Sequence, residues 1–153
     1  MVELDEADRR ILREIQKNPE LTLRELAEIA GLSHTPCWRR LQRMQELGVL
    51  SPKQHILNAG MLGYEIVVFC FVRTIEHRRE KLAEFETAVL RIPEIVQCYS
   101  ATGNFDYILR VIAKSVRAYE ETVKEAIVEL PNVKSINTSF TLKEIKNDLF
   151  VPV

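Results

Sequence analysis

Arg39, Arg40 and Arg43 fall within five residues of one another, in a stretch from Ser33 to Leu47 whose only acid is Glu46. A guanidinium group is a planar fork of N–H donors that keeps its charge, so it suits paired acceptors such as the outer edge of guanine or a phosphate. Cys37, Leu41, Met44 and Leu47 recur in the same stretch at spacings of four, three and three, the pattern of one buried helix face. Advancing about 100° per residue puts Thr35, Arg39, Gln42, Arg43 and Glu46 opposite that face, with His34 and Trp38 on one flank and Arg40 on the other. A helix with a buried back and an arginine-bearing front has the chemistry of a nucleic-acid contact.

Such a helix needs neighbours that hold it at an angle. Thr22 can cap a preceding helix from Leu23 to Ala30, and Glu25, three residues on, completes a capping box. Gly31 ends that helix, and Ser33 can cap the arginine-bearing one, which runs until Gly48. Two short helices joined this tightly form a helix-turn-helix, whose second helix lays its N-terminal turns in the major groove. Arg39 is then placed for a bidentate contact to guanine and Arg43 for the phosphate backbone. A first helix begins at Asp5 or Asp8, buries Ile11, Leu12 and Ile15, and stops at Asn18-Pro19.

Composition bounds what surrounds this motif. The 153 residues are 46% hydrophobic and 28% charged, enough for one ordinary domain or two small ones. The net charge is −1, and nine basic residues balance nine acidic ones over positions 1–60. Attraction to DNA by charge alone is therefore weak for one copy, and useful affinity requires several helices acting together. Cys37, Cys70 and Cys98 form no Cys-x-x-Cys pair, and His34, His55 and His77 have no ligand spacing, so no metal site or disulfide framework is expected. The acidic N-terminus is unlike a signal peptide, and the apolar run Ile66–Val72 is too short to span a bilayer. These features predict a cytoplasmic protein without a membrane partner. With no nucleophile-base pair and no phosphate-binding glycine loop, neither enzymatic chemistry nor a cofactor is expected.

Positions 48–63 contain Pro52 and Gly60, and Lys53–Leu57 can form a short extended wing. Beyond Gly63 the pattern becomes strand Ile66–Val72, helix around Leu82, Phe85, Val89 and Ile92, strand Ile95–Ala101, strand Tyr107–Ala113, helix from Val116 to Leu130, and strand Val133–Leu142. Ile92-Pro93-Glu94-Ile95 recurs 38 residues later as Leu130-Pro131-Asn132-Val133. Two βαβ units predict a four-stranded antiparallel sheet with both helices on one face, the ferredoxin-like arrangement. The fold class is therefore α+β: a winged helix-turn-helix domain at 1–50, a wing and linker at 51–63, and a βαββαβ domain at 64–153. Because Ile66–Val72 is apolar on both faces, the uncovered side of the sheet calls for a second subunit.

The whole chain resembles the Lrp/AsnC, or feast/famine, regulators. The resemblance is carried by Leu4-Asp5 with Asp8, Ile11 and Leu12; by Glu25-Leu26-Ala27; by Leu32-Ser33, Thr35-Pro36-Cys37 and Arg39-Arg40; by Gly48-Val49-Leu50; and by Gly103-Asn104-Phe105-Asp106-Tyr107. It implies homodimers, often joined into larger rings, that bind double-stranded promoter DNA and respond to an amino acid or related metabolite. On the DNA side it implies contacts from Ser33, His34, Thr35, Trp38, Arg39, Arg40 and Arg43. On the effector side it implies a pocket lined by Ala101, Thr102, Gly103, Asn104, Asp106 and Tyr107, with Thr138 and Ser139 approaching from the last strand. Asp106 would pair with an α-amino group and Gly103 would allow close backbone approach. The chain departs from the family at His34, where many relatives carry proline, and at Ser51-Pro52-Lys53-Gln54, which lacks the common Gly-Tyr pair.

Each residue also has a plainer role to be weighed. Arg40, beside the core stripe, suits a salt-bridged structural arginine as well as a phosphate contact. Trp38 can pack on a neighbouring helix, Cys37 and Cys98 read as buried inert thiols, and Asp106 can simply cap a turn. A different functional class also stands: a ligand-binding module whose helix-turn-helix serves protein–protein interaction.

Overall fold

The computed structural model describes residues 2–53, 55–147 and 150–153. The chain divides into two compact units, Met1–Ile56 with Lys146–Val153, and Leu57–Ile145.

The first unit contains α1 (Glu6–Lys17), α2 (Leu23–Ala30) and α3 (His34–Glu46). Reciprocal capping boxes start α1 and α2. Asp8 N donates to Asp5 Oδ1 at 2.8 Å and Asp5 N to Asp8 Oδ2 at 3.2 Å, and the same exchange links Thr22 and Glu25. Gly31 closes α2 at φ 68°, a left-handed conformation that costs glycine little. Ser33 occupies the N-cap of α3, yet its hydroxyl makes no capping bond. The reason lies in the sequence: the third helical position is Pro36, which has no N–H to offer.

The apolar faces of the three helices meet in a core of Ile11, Leu12, Leu26, Ala27, Ala30, Cys37 and Met44. Leu41 packs against it, whereas Leu47, expected on the same stripe, is exposed because α3 ends one residue earlier. Val153 also packs against this core. Gln16 Nε2 donates to Val151 O at 3.0 Å, Val151 N donates to Gln16 Oε1 at 2.7 Å, and Arg13 Nε donates to Val153 O at 2.8 Å. The end of the chain, expected in the second domain, thus belongs to the first. The expected wing at Lys53–Leu57 forms no strand among its described residues, which have no partner strand to complete a ladder; Gln54 lies outside the described residues.

The second unit opens with a 3-10 turn (Gly60–Leu62), followed by β1 (Ile66–Thr74), α4 (Arg79–Val89), β2 (Ile95–Ser100) and β3 (Tyr107–Ala113). A continuous helical run then passes through α5 (Val116–Ala118), a π-helical segment (Tyr119–Val123) and α6 (Lys124–Val128) before β4 (Val133–Phe140). The strands are antiparallel in the order β2-β3-β1-β4. Alternation along β1 sends Val68, Cys70 and Val72 into a core with Leu109, Val111, Phe85, Val89, Tyr119, Val123 and Ile127. Val67, Phe69 and Phe71 point to the other face, beside Ile108 and Ile112, and are only half-buried. The π-helical segment had no sequence signal. It begins at Tyr119, whose hydroxyl lies 3.2 Å from Cys70 Sγ and 3.1 Å from Thr138 Oγ1 and whose ring meets Phe140 edge-on. Cys98 is exposed rather than in the core, because β2 is an edge strand.

Candidate functional site

Ser33, His34, Thr35 and Arg39 are all exposed along the first two turns of α3, and Trp38 between them is 49% exposed. Arg39 has no hydrogen bond or ion pair among the described residues, so its donors are free for an external acceptor. Its neighbour Arg40 is engaged: Nη1 donates to Asp8 Oδ1 at 2.8 Å and to Asp5 Oδ2 at 2.6 Å. Arg43 Nη1 donates to Asp8 Oδ2 at 3.2 Å and Nη2 to the Glu3 carbonyl at 3.0 Å. Asp8 is 1% exposed, and a buried carboxylate is stable only when paired. The Asp8 and Asp5 carboxylates hold the Arg40 guanidinium above its ordinary pKa, Asp8 contributing most. Asp5 is held below the usual carboxylate range, first by the Asp8 amide and then by Arg40. The α1 acids that capture these arginines were visible only as cap residues in the sequence, because nothing local relates positions 5 and 8 to 40.

The loop between β2 and β3 is built around Asp106. Ala101 N donates to Asp106 O at 2.8 Å, closing the hairpin, and Asp106 N donates to Val72 O at 2.9 Å. The Asp106 carboxylate accepts from Thr74 N at 2.7 Å and Thr74 Oγ1 at 2.9 Å, and its second oxygen lies 2.9 Å from His77 Nε2. The Thr74 amide does most to hold Asp106 below its ordinary pKa; burial opposes it, and His77 and then the Thr74 hydroxyl add to the lowering. Arg73 Nε donates to the Asn104 carbonyl, and Phe105 lies 5.2 Å from Phe71, with the Arg73 guanidinium over its ring. Thr102, Gly103 and Asn104 are exposed. Gly103 adopts φ 106°, but a Cβ there would meet nothing within 4 Å, so its backbone conformation rather than close approach calls for glycine.

The remaining expected effector residues are not gathered at this loop. Tyr107 is buried on the helix-covered face and donates to Glu86 Oε1 at 2.7 Å; burial, then Glu86, raises its phenol pKa well above the ordinary value. Thr138 pairs with Cys70 and turns its hydroxyl to Tyr119 on that same face, whereas Ser139 pairs with Phe69 and emerges on the open one. The β-strand period places consecutive residues on opposite faces, so one subunit cannot present both to one ligand. Thr74 and His77 hold the Asp106 carboxylate instead, and Arg73 reaches the loop at Asn104 and Phe105. They were missed because β1 reaches the loop only through sheet pairing.

Residues 4–51 match the family of winged helix-turn-helix DNA-binding domains, and residues 67–149 match the Lrp/AsnC ligand binding domain. The chain belongs to the Lrp/AsnC family. It is a DNA-binding transcriptional regulator with a C-terminal ligand-binding domain, and its fold is the α+β combination expected from the sequence. It is 31% identical over 150 residues to the DNA-binding transcriptional activator DecR of Escherichia coli, covering 98% of this chain and 99% of that one. It is 33% identical to a leucine-responsive regulatory protein of Rhizobium meliloti, over 95% of this chain and 94% of that one. Two similar structures are a Neisseria meningitidis transcriptional regulator in complex with L-Met (TM-score 0.91, 29% identity, 98% and 97% covered) and an AsnC family regulator of Agrobacterium tumefaciens (TM-score 0.91, 35% identity, 97% of each). Each of these relatives covers at least 95% of the chain.

Proposed function

We propose that this Lrp/AsnC regulator works as a homodimer or larger ring in the cytoplasm, presenting paired α3 helices to promoter half-sites about one helical turn, or a multiple, apart. The observation that carries the reading is Arg39: an exposed arginine in the second turn of α3 with no partner among the described residues, beside exposed Ser33, His34 and Thr35. Ser33, His34, Thr35 and Trp38 contribute positioning contacts, Arg39 reads a base, and Arg43 reaches phosphate. Self-association is supported by the half-buried Val67, Phe69, Phe71, Ile108 and Ile112 on the uncovered sheet face and by exposed Leu142 and Ile145 in the same unit. No helix among the described residues is long and apolar enough to cross a membrane.

The regulator acts by binding, without turnover, and its effector is an amino acid or close relative held at loop 101–106. Ala101, Thr102, Gly103 and Asn104 offer backbone groups there, and a remaining lone pair of Asp106 accepts an ammonium. Of the two β4 residues only Ser139 lies on the open face, and it could join such a pocket from another copy, which would make effector binding sensitive to assembly. Two measurements test the reading: selection of bound duplexes from a random-sequence library, and thermal stabilisation by each of the twenty amino acids. A selected motif with half-site symmetry and stabilisation by at least one amino acid are expected. A library that returns no enriched duplex would count against DNA reading, and a flat amino-acid screen against the effector assignment.

A further inference from the structure

We propose that Asp8 is a positioning residue of the DNA interface: it withholds Arg40 from phosphate and anchors α3 to the start of α1, leaving Arg39 as the arginine that reads. The inference rests on α3 being the DNA-contacting helix.

Asp8 accepts from Arg40 Nη1, Arg43 Nη1 and the Asp5 amide, so both its oxygens are engaged at 1% exposure. The two arginines are not held equally. Arg40 makes the shorter bonds, to two carboxylates, and its side chain is 30% exposed; Arg43 makes one longer bond to Asp8 and is 48% exposed. A phosphate can draw Arg43 away while Arg40 still satisfies Asp8. Drawing Arg40 away leaves Asp8 buried with its closest counter-charge gone, a far costlier exchange.

The charge pattern of α3 changes accordingly. As a sequence the helix is +2, but Asp5 and Asp8 offset Arg40 and Arg43, and what remains is Arg39 against Glu46. Sequence-independent attraction to the DNA backbone is thereby held down, while the base-facing donor is untouched. Discrimination between the correct and a wrong duplex is the ratio of the two affinities, so suppressing the second sharpens it. The capping boxes make the device possible, since the carboxylates that start α1 also face α3.

The test compares the full-length protein with Asp5→Asn/Asp8→Asn, which removes the charges while asparagine still caps the helix. Binding to a duplex selected by the unmodified protein and to a scrambled duplex is measured across a salt series. Release of Arg40 to phosphate is expected to steepen the slope of log K against log[salt] by about 0.9 and to lower the selected-to-scrambled ratio several-fold. Adding Arg40→Gln to that variant is expected to abolish the steepening. An unchanged or shallower slope in a folded double variant would overturn the proposal, as would steepening that survives Arg40→Gln, since that reports only a change in overall charge.

A second measurement needs no substitution. On titration of the unmodified protein with the selected duplex, the guanidinium NMR signals of Arg39 should shift and those of Arg40 should stay in place. Movement of Arg40 with Arg39 would overturn the tether even if the double variant does not fold. Failure of the unmodified protein to bind either duplex would overturn the DNA reading and the tether together.

Discussion

Thr74 and Asp106 lie 32 residues apart and share two hydrogen bonds, from the Thr74 amide at 2.7 Å and its hydroxyl at 2.9 Å to one carboxylate oxygen. The end of β1 is thus fastened to the loop before β3 by the residue proposed to hold the effector. Structural and ligand roles are compatible in one carboxylate, but they respond differently to substitution.

Asp106→Ala leaves the buried Thr74 amide without its acceptor, and the C-terminal unit should lose about 1–3 kcal/mol. Asp106→Asn should keep most of that stability while weakening amino-acid binding. Urea unfolding paired with an effector titration separates the two effects; equal effector response in wild type and Asp106→Asn would remove Asp106 from the pocket.

The same carboxylate predicts a pH dependence. Its folded pKa lies below the ordinary 3.8, so its contribution to stability is complete above that value and is lost as pH falls through the lowered folded one. Unfolding midpoints measured downward from pH 6 should therefore decline less steeply near pH 3 in Asp106→Asn than in wild type.

Arg39→Ala should cost about 1–3 kcal/mol of specific binding, roughly five- to 150-fold, with an unchanged far-UV spectrum. Footprints identical to wild type would remove Arg39 from the interface.

Gly103→Ala meets no steric obstacle, so its cost is that of holding alanine at φ 106°, about 1–3 kcal/mol. A calorimetric melt as stable as wild type would mean that the loop relaxes to another conformation.

Phe69→Asp introduces a charge on the uncovered face of the central strand β1, away from the helix-side core. Light scattering should report a smaller species than wild type at equal concentration. An unaltered mass would place the subunit contact elsewhere.

Much of the fold is legible because its signals are local. Thr22 with Glu25 is a capping box in sequence and in space, since both partners lie within one turn, and Asp5 and Asp8, each legible as a start of the first helix, prove to cap it together. The β3 limits Tyr107–Ala113 also follow from the run of residues alone. The C-terminal Val151 and Val153 could not be assigned to the first unit, because their partners Gln16 and Arg13 are more than 130 residues away. Nor could the opposite faces of Thr138 and Ser139 be related to loop 101–106 before the register of β4 on β1 was known.

The arginine stretch of α3 divides along the same line. Its helical period, apolar back and polar front are properties of residues three and four apart, so the order of residues was enough to set that a helix of this kind forms and which side chains it exposes. Which arginine stays free was decided only in three dimensions. Arg39 and Arg40 are chemically identical neighbours, and they differ because Asp5 and Asp8, 35 and 32 residues before Arg40, fold against one and not the other. Pairing between charges depends on distance in space, which the order of residues along the chain does not carry.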